Sequence, residues 1–382
     1  MEKNFLIISR ISPFLNFRNT FLVQVLRKLG RVTVLTEKTN LRSAVDNQGG
    51  ELILKEKILR PSMKWPLAKA LRVIFFNIIA FFEIIHGRRR YEYIICADVP
   101  YSIPGLLAKI LFKKKFIIDM HEIVWDMGYP RWISRFYKLV EKLVLRKAEL
   151  VFLPSVERAH IVFSTHGIRK RHLIFENYPP VETIRINKGL LRRKLADLGF
   201  KNDKMIIMYQ GSVTPLNLKG LVALSKLVEK HEFVLCIQGY GPLLAEFRKH
   251  CLHRENSPIC FLEACTNDYA IEWLSGADIA FVYYEPNNLN TEYACSAKFY
   301  SAVFAQVPIL CNRLKAFEIF ATRYGGVVIY DSLQDLEQVI VDLIHDKNKL
   351  NRLKEEIKIA SRSVENVMSR RKLEILEQFQ KL

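Results

Sequence analysis

The chain has 382 residues and is 50% apolar, enough for about two to three domains with real cores, and this excludes wholesale disorder. Its formal net charge of +19 is uneven: residues 1 to 190 carry 33 Lys and Arg against 16 Asp and Glu, whereas residues 191 to 382 carry 25 against 23. A basic first half suits an anionic membrane surface or a phosphorylated substrate; without a zinc finger, an RNA-recognition signature or aromatic-basic interleaving, nucleic acid is not an expected partner.

The opening residues, MEKNFLIISR, hold only a short apolar run, soon broken by Pro13 and Arg18, so the expected location is the cytoplasm. Strands are predicted at residues 5 to 9 and 31 to 36, with a helix over 18 to 30 between them. The segment VIFFNIIAFFEII, residues 73 to 85, is followed by three arginines. It is too short for a spanning helix, which needs roughly 20 residues. It reads either as an interfacial helix dipping into lipid or as a helix buried in the domain.

The rhythm continues with strands at 91 to 98, 115 to 119 and 150 to 155 and helices at 103 to 114 and 132 to 148, the alternation of a parallel sheet covered by helices. Pro179, Pro180 and the mixed polar residues after them mark a junction at 181 to 204. A second α/β domain is predicted over 205 to 360, with strands at 205 to 211, 233 to 241, 258 to 264, 278 to 284, 307 to 311 and 325 to 330. A charged helical tail over 361 to 382 is expected to pack back on the first domain, residues 1 to 180. Two such domains facing one another would define a cleft, a preferred ligand site. Seven cysteines without metal-site spacing are expected to be reduced thiols, and no metal site is suggested.

Three stretches carry chemistry. IIDMHEIVWD, residues 117 to 126, turns from apolar to polar where a buried strand should end, the position at which open α/β sheets hold ligands. It offers Asp119, His121, Glu122 and Asp126. In YQGSV, Gly211 and Ser212 end a strand, where glycine lets a ligand approach the backbone, and Lys219 and Gly220 follow at the start of a helix, where lysine and free amides suit phosphate. Gly239 and Tyr240 end the next strand in the same manner. Neither segment has a dinucleotide fingerprint or a Walker motif. The third stretch, residues 285 to 310, is polar through Ser296 and then sets Lys298 at a helix start. A cation there opposes the helix dipole and is better explained by an anionic partner. Glu292 precedes it and could accept from hydroxyls of a sugar or ribose.

On these residues the chain resembles the nucleotide-sugar-dependent glycosyltransferases of GT-B architecture, two facing Rossmann-like domains, and is most similar to glycosyltransferase family 4. The segment DMHE resembles the family's Asp-x-His-Glu; GSVTPLNLKG resembles its glycine followed by a basic residue on the donor diphosphate, here Gly211 and Lys219. CSAKFYSAVFAQVPIL resembles its Pro-x-Lys-x-x-Glu-x-x-x-x-Gly-x-Pro segment, retaining Lys298 and Pro308. Ser301 stands at the usual glutamate, Gln306 at the glycine, Ser296 at the proline and Tyr293 at the earlier glutamate.

The resemblance implies a first domain that takes the acceptor, through Asp119, Glu122 and Arg18, and a second that holds a nucleoside diphosphate sugar through Gly211, Ser212, Lys219, Gly239, Tyr240, Glu292, Tyr293, Lys298 and Ser301. It implies Lys298 and Lys219 on the leaving diphosphate, His121 near the transferred sugar, retention of configuration, and no essential metal or other cofactor. The basic first half then suggests a glycan, polyprenyl-diphosphate-linked or lipopolysaccharide acceptor and a peripheral place on the inner face of the membrane. Two alternatives stay open: a non-catalytic scaffold of the same fold, motivated by Ser301 and Gln306, and a nucleotide-sugar epimerase.

Overall fold

Residues 5 to 8 and 93 to 96 are buried at every position, not at alternate ones, as strands covered on both faces must be. The computed structural model describes residues 2–11, 16–37, 51–57, 66–179, 184–201, 203–252, 258–265 and 267–382. It divides into two units. The first comprises Met1–Asn177 with Asn288–Asn290 and Met368–Leu382, and the second Tyr178–Asn287 with Thr291–Val367.

The first unit is built on seven strands, β1 (Lys3–Ile8), β2 (Gly30–Glu37), β3 (Leu52–Lys57), β4 (Tyr93–Ala97), β5 (Lys115–Asp119), β6 (Leu150–Leu153) and β7 (His172–Ile174). All pair in parallel, in the order β3-β2-β1-β4-β5-β6-β7. The order reverses between β1 and β4, and strand order reversals are where such sheets bind ligands. The edge strand β3 is not among the predicted strands: LILKEK is only half buried and ends in charges, which suits an edge and hides the apolar signal. The first helix is Phe17–Leu26 and ends before the predicted glycine, because Gly30 already belongs to β2.

The second unit has six parallel strands, β8 (Met205–Ser212), β9 (Phe233–Tyr240), β10 (Ile259–Leu262), β11 (Ile279–Val282), β12 (Ile309–Asn312) and β13 (Val327–Tyr330). Their order is β10-β9-β8-β11-β12-β13, with the reversal between β8 and β11. The segment read as a junction contains a helix, Lys188–Asp197, because Leu191 and Leu195, one turn apart, are buried in the second unit. Pro180 and residues 181 to 183 lie outside the described residues.

Residues 73 to 85 fall in the helix Pro66–His86, which has one buried and one exposed apolar side: Phe76, Ala80 and Ile84 join the core, whereas Phe75, Ile78 and Phe82 face outward. Among the described residues no helix is long and apolar enough to cross a membrane. The closing helix, Lys347–Lys381, sets Phe379 edge-on to Phe5 and Tyr93 within the first unit. All seven cysteines are free thiols.

Candidate functional site

At the carboxyl end of β5 in the first unit, Asp119 is 1% exposed, a burial that a carboxylate tolerates only when it is paired. Arg18 supplies the pairing. The residue expected to meet the acceptor is instead wholly buried, because nearly every side of Phe17–Leu26 packs inward; it donates from Nε to Asp119 Oδ1 at 2.9 Å and from Nη2 to the same oxygen. Its guanidinium also stacks over the Phe175 ring. The other oxygen, Oδ2, lies 2.9 Å from His121 Nε2. Arg18 and Asp119 are therefore occupied with each other and with His121, and they fix its ring.

Burial alone would weaken the charged form of His121, but Asp119 and Asp98 outweigh it and raise the imidazole above its ordinary pKa of 6.5. Burial likewise opposes the Asp119 charge, yet Arg18 and His121 hold that carboxyl well below the usual range. The charged form of the ring is thereby favoured, and Asp119 clamps it through Nε2. Asp98, which follows β4, adopts φ 66°, a conformation costly for a residue other than glycine, and its Oδ1 accepts from the backbone of His121 at 2.6 Å and of Glu122 at 3.0 Å. The turn that presents His121 is thus pinned from a neighbouring strand. Glu122 is half-exposed, with Arg158 at 3.4 Å.

In the second unit, the ends of β8 and β9 lie side by side, Gly211 opposite Gly239 and Ser212 opposite Tyr240. A Cβ at Gly239 would sit 2.3 Å from the Gly211 carbonyl oxygen, so only glycine permits this approach. Gly211 has φ 121°, and a Cβ there would sit 2.6 Å from Cε of Lys298. The lysine side chain thus lies across the glycine that the sequence placed at the strand end. Ser296 caps the helix Ala297–Phe304, accepting from Phe299 N at 3.2 Å, which makes Lys298 the second helical residue. Its ammonium donates to Tyr284 Oη at 3.3 Å and sits over the Tyr284 and Tyr209 rings. Burial works against this charge, but attraction to the Tyr284 and Tyr209 oxygens outweighs it and keeps Lys298 protonated. Burial pushes the Tyr209 phenol up to about 12, so that ring is neutral at physiological pH. Among the described residues no carboxylate pairs with Lys298, which leaves a half-buried cation beside bare backbone.

The helix Pro215–Leu227 begins just after Ser212, with a reciprocal cap between Thr214 and Asn217 and proline in its first turn. Asn217 and Tyr209 both donate to the Ser212 carbonyl, at 3.0 and 2.6 Å, and fix the loop. Lys219 is well exposed and pairs with Glu285 at 3.2 Å, a surface contact worth ~0–1 kcal/mol and easily exchanged for another anion. Tyr240 is exposed, and Glu292 ends the short helix Leu289–Glu292. The Tyr293 ring lies under Lys315. Ser301 is 3% exposed and spends its hydroxyl on the Ala297 carbonyl of its own helix, at 2.9 Å. Gln306 takes φ 57° at the end of that helix, the conformation for which glycine is best suited.

The structure thus gathers Gly211, Ser212, Gly239, Tyr240 and Lys298 in one unit, and Arg18, Asp119, His121 and Glu122 in the other. Sequence reading missed Asp98, Tyr209, Tyr284 and Glu285; Asp98 directly follows β4, Tyr284 and Glu285 come shortly after β11, and Tyr209 lies within β8, so nearness to a strand end was the only local sign that three of them offered. A cavity of about 840 Å³ opens at the other end of the second sheet, among Arg192, Lys204, Met205, Glu232, Asp278 and Lys347. It includes none of the candidate residues and lies at the amino ends of β8 and β9, opposite the end where such sheets bind ligands. Among the described residues no group of three or more His, Cys, Asp or Glu could hold a metal ion.

No protein-family model and no curated protein sequence matches the chain. Solved structures match over nearly its whole length. Sucrose-phosphate synthase from Thermosynechococcus elongatus superimposes with a TM-score of 0.75 at 15% identity, covering 100% of this chain and 99% of that one. Anabaena HepE in complex with UDP-glucose gives 0.69 at 14%, covering 99% and 100%. WaaG, a glycosyltransferase involved in lipopolysaccharide biosynthesis, gives 0.69 at 11%, covering 93% and 94%. At these identities the likeness is one of fold: two parallel-sheet Rossmann-like domains, the GT-B fold.

Proposed function

We propose that the protein is a glycosyltransferase that moves a sugar from a nucleoside diphosphate sugar to a membrane-associated glycan or glycolipid, with retention of configuration, in surface polysaccharide or lipopolysaccharide synthesis. The observation that carries the reading is Lys298: a protonated amine without a carboxylate partner among the described residues, lying over Gly211 at the carboxyl end of β8. A diphosphate supplies the anion such a site lacks. HepE, of the same fold, was solved with UDP-glucose, which supports a donor of that class.

In this reading Lys298, aided by Lys219 after it leaves Glu285, stabilises charge growing on the departing diphosphate. Gly211, Ser212 and Gly239 let the phosphates approach the backbone. His121, held through Nε2 by Asp119, which favours its charged form, donates through Nδ1 to a sugar hydroxyl. Glu122 and the basic first half serve the acceptor. The scaffold reading keeps one observation in its favour, since Ser301, where the resembled family carries glutamate, is buried and bonded within its own helix.

The test is protection from thermal unfolding by UDP, GDP, CDP and ADP at millimolar concentration, since a ligand specific to the folded state raises apparent stability. One nucleotide is expected to shift the native chain, and Lys298→Ala to abolish the shift. With the matching sugar donor, Lys298→Ala should cost roughly 10²–10³-fold in kcat, as loss of one preorganised donor does. No shift with any nucleotide would favour the scaffold, and release of nucleoside diphosphate without a glycosidic product the epimerase.

A further inference from the structure

We propose that the outer faces of the helices Pro66–His86 and Arg131–Lys147 form a docking surface for an anionic lipid bilayer, in which both helices lie along the interface. This deepens the membrane part of the reading above, and its test needs no sugar donor.

A helix on a domain surface normally turns its apolar stripe inward and its charges outward. The helix Arg131–Lys147 does bury Val144 and Leu145, yet it also exposes Trp132 (73%), Phe136 (53%), Leu139 (71%) and Leu143 (45%), spaced to share one side. Beside that stripe run six basic residues, Arg131, Arg135, Lys138, Lys142, Arg146 and Lys147. The helix's single acid, Glu141, is buried and held by His166 at 2.7 Å and Trp125 at 3.0 Å, so it offsets none of the exposed charge. On Pro66–His86, Leu71, Ile74, Phe75, Ile78 and Phe82 point outward at helical spacing, and the exposed Arg88, Arg89 and Arg90 follow. The helix Ile103–Phe112 packs against both and adds exposed Ile110 and Leu111. Of the 23 exposed large apolar side chains among the described residues, 14 lie between Leu71 and Leu143, so this is a patch and not the scatter any surface carries.

The charge selects the occupant. A symmetric contact between two copies would set the same patch against itself, and the basic fringe against a second basic fringe. Anionic lipid provides phosphates for that fringe and hydrocarbon for the stripe, the two signals that together give stable interfacial binding.

The experiment is co-sedimentation of the full chain, without nucleotide, with vesicles of phosphatidylcholine alone or with roughly one third phosphatidylglycerol, at about 0.1 and about 0.5 M salt. The native chain is expected to bind the anionic vesicles, and more weakly at the higher salt. The double variant Trp132→Glu/Leu139→Glu should partition at least ~10-fold more weakly. Its thermal midpoint should be unchanged, because both side chains are already exposed. Ile359→Glu, at an exposed position in the second unit, should bind like the native chain. No binding to anionic vesicles at either salt, or native-like binding by the double variant, would overturn the proposal. So would a lipid-free dimer that the double variant dissolves, which would assign the face to a second copy. Nucleotide protection can fail while vesicle binding succeeds, so the two readings fall separately.

Discussion

Substituting Gly211 by alanine tests the contact on which the donor reading rests. Two costs arise from different atoms. The backbone at φ 121° is unfavourable for any residue with a Cβ, at roughly 1–3 kcal/mol whatever surrounds it. The new Cβ would also stand 2.6 Å from Lys298 Cε and 3.5 Å from its Cγ and Cδ, so the lysine must leave the glycine, at the lower end of the ~1–3 kcal/mol of overpacking. Only the second cost depends on Lys298. In a cycle of Gly211→Ala, Lys298→Ala and the double variant, Gly211→Ala should therefore cost about 1 kcal/mol less when Lys298 is already alanine. That coupling exceeds the ~0.3–0.5 kcal/mol expected of independent sites. For a domain of this size it corresponds to a midpoint difference of about 2–4 °C in thermal unfolding of the full chain. Gly211→Ala should also lose nucleotide protection although the lysine is retained, because the ammonium no longer lies over the strand end. Additive midpoints together with full protection of Gly211→Ala would refute the packing of Lys298 on Gly211 as the basis of the site.

Two further outcomes follow from single residues. The His121 ring should titrate above 6.5 by NMR and fall back in Asp119→Asn; a group raised on folding stabilises fully below its unfolded pKa and loses that contribution as pH rises through the folded value, so the native chain should lose stability above about pH 6.5 and Asp119→Asn should show a flatter slope there. A titration unchanged by Asp119→Asn would remove the clamp from the account. Gln306 closes the helix Ala297–Phe304 with the paired bonds Val307 N to Ala302 O, 3.0 Å, and Gln306 N to Val303 O, 3.0 Å, a left-handed ending that favours glycine. Gln306→Gly should accordingly stabilise the chain by about 0.5–1 kcal/mol in urea unfolding, and a loss of stability would contradict that ending.

Much of this molecule was legible from local departures in the sequence. Strands alternating with helices announced parallel sheets covered by helices, and only the two edge strands of the first sheet escaped: β3, half exposed and ending in Lys-Glu-Lys, and β7, three residues long. Gly211 at a strand end and Lys298 at a helix start each broke a local rule, and each lies where the sheet brings ligands. What could not be read was the partner of each charge, because topology supplies it. Asp119 is 101 residues from Arg18, and the helix Phe17–Leu26 buries so many of its sides that no amphipathic period distinguishes an inward arginine from an outward one. Tyr209 and Tyr284 meet Lys298 only because the crossover sets β11 beside β8. The two cations therefore part company: Arg18, paired with a buried carboxylate, is a positioning group behind His121, whereas Lys298, set against two phenol rings with no carboxylate partner among the described residues, retains a charge that a diphosphate would complete.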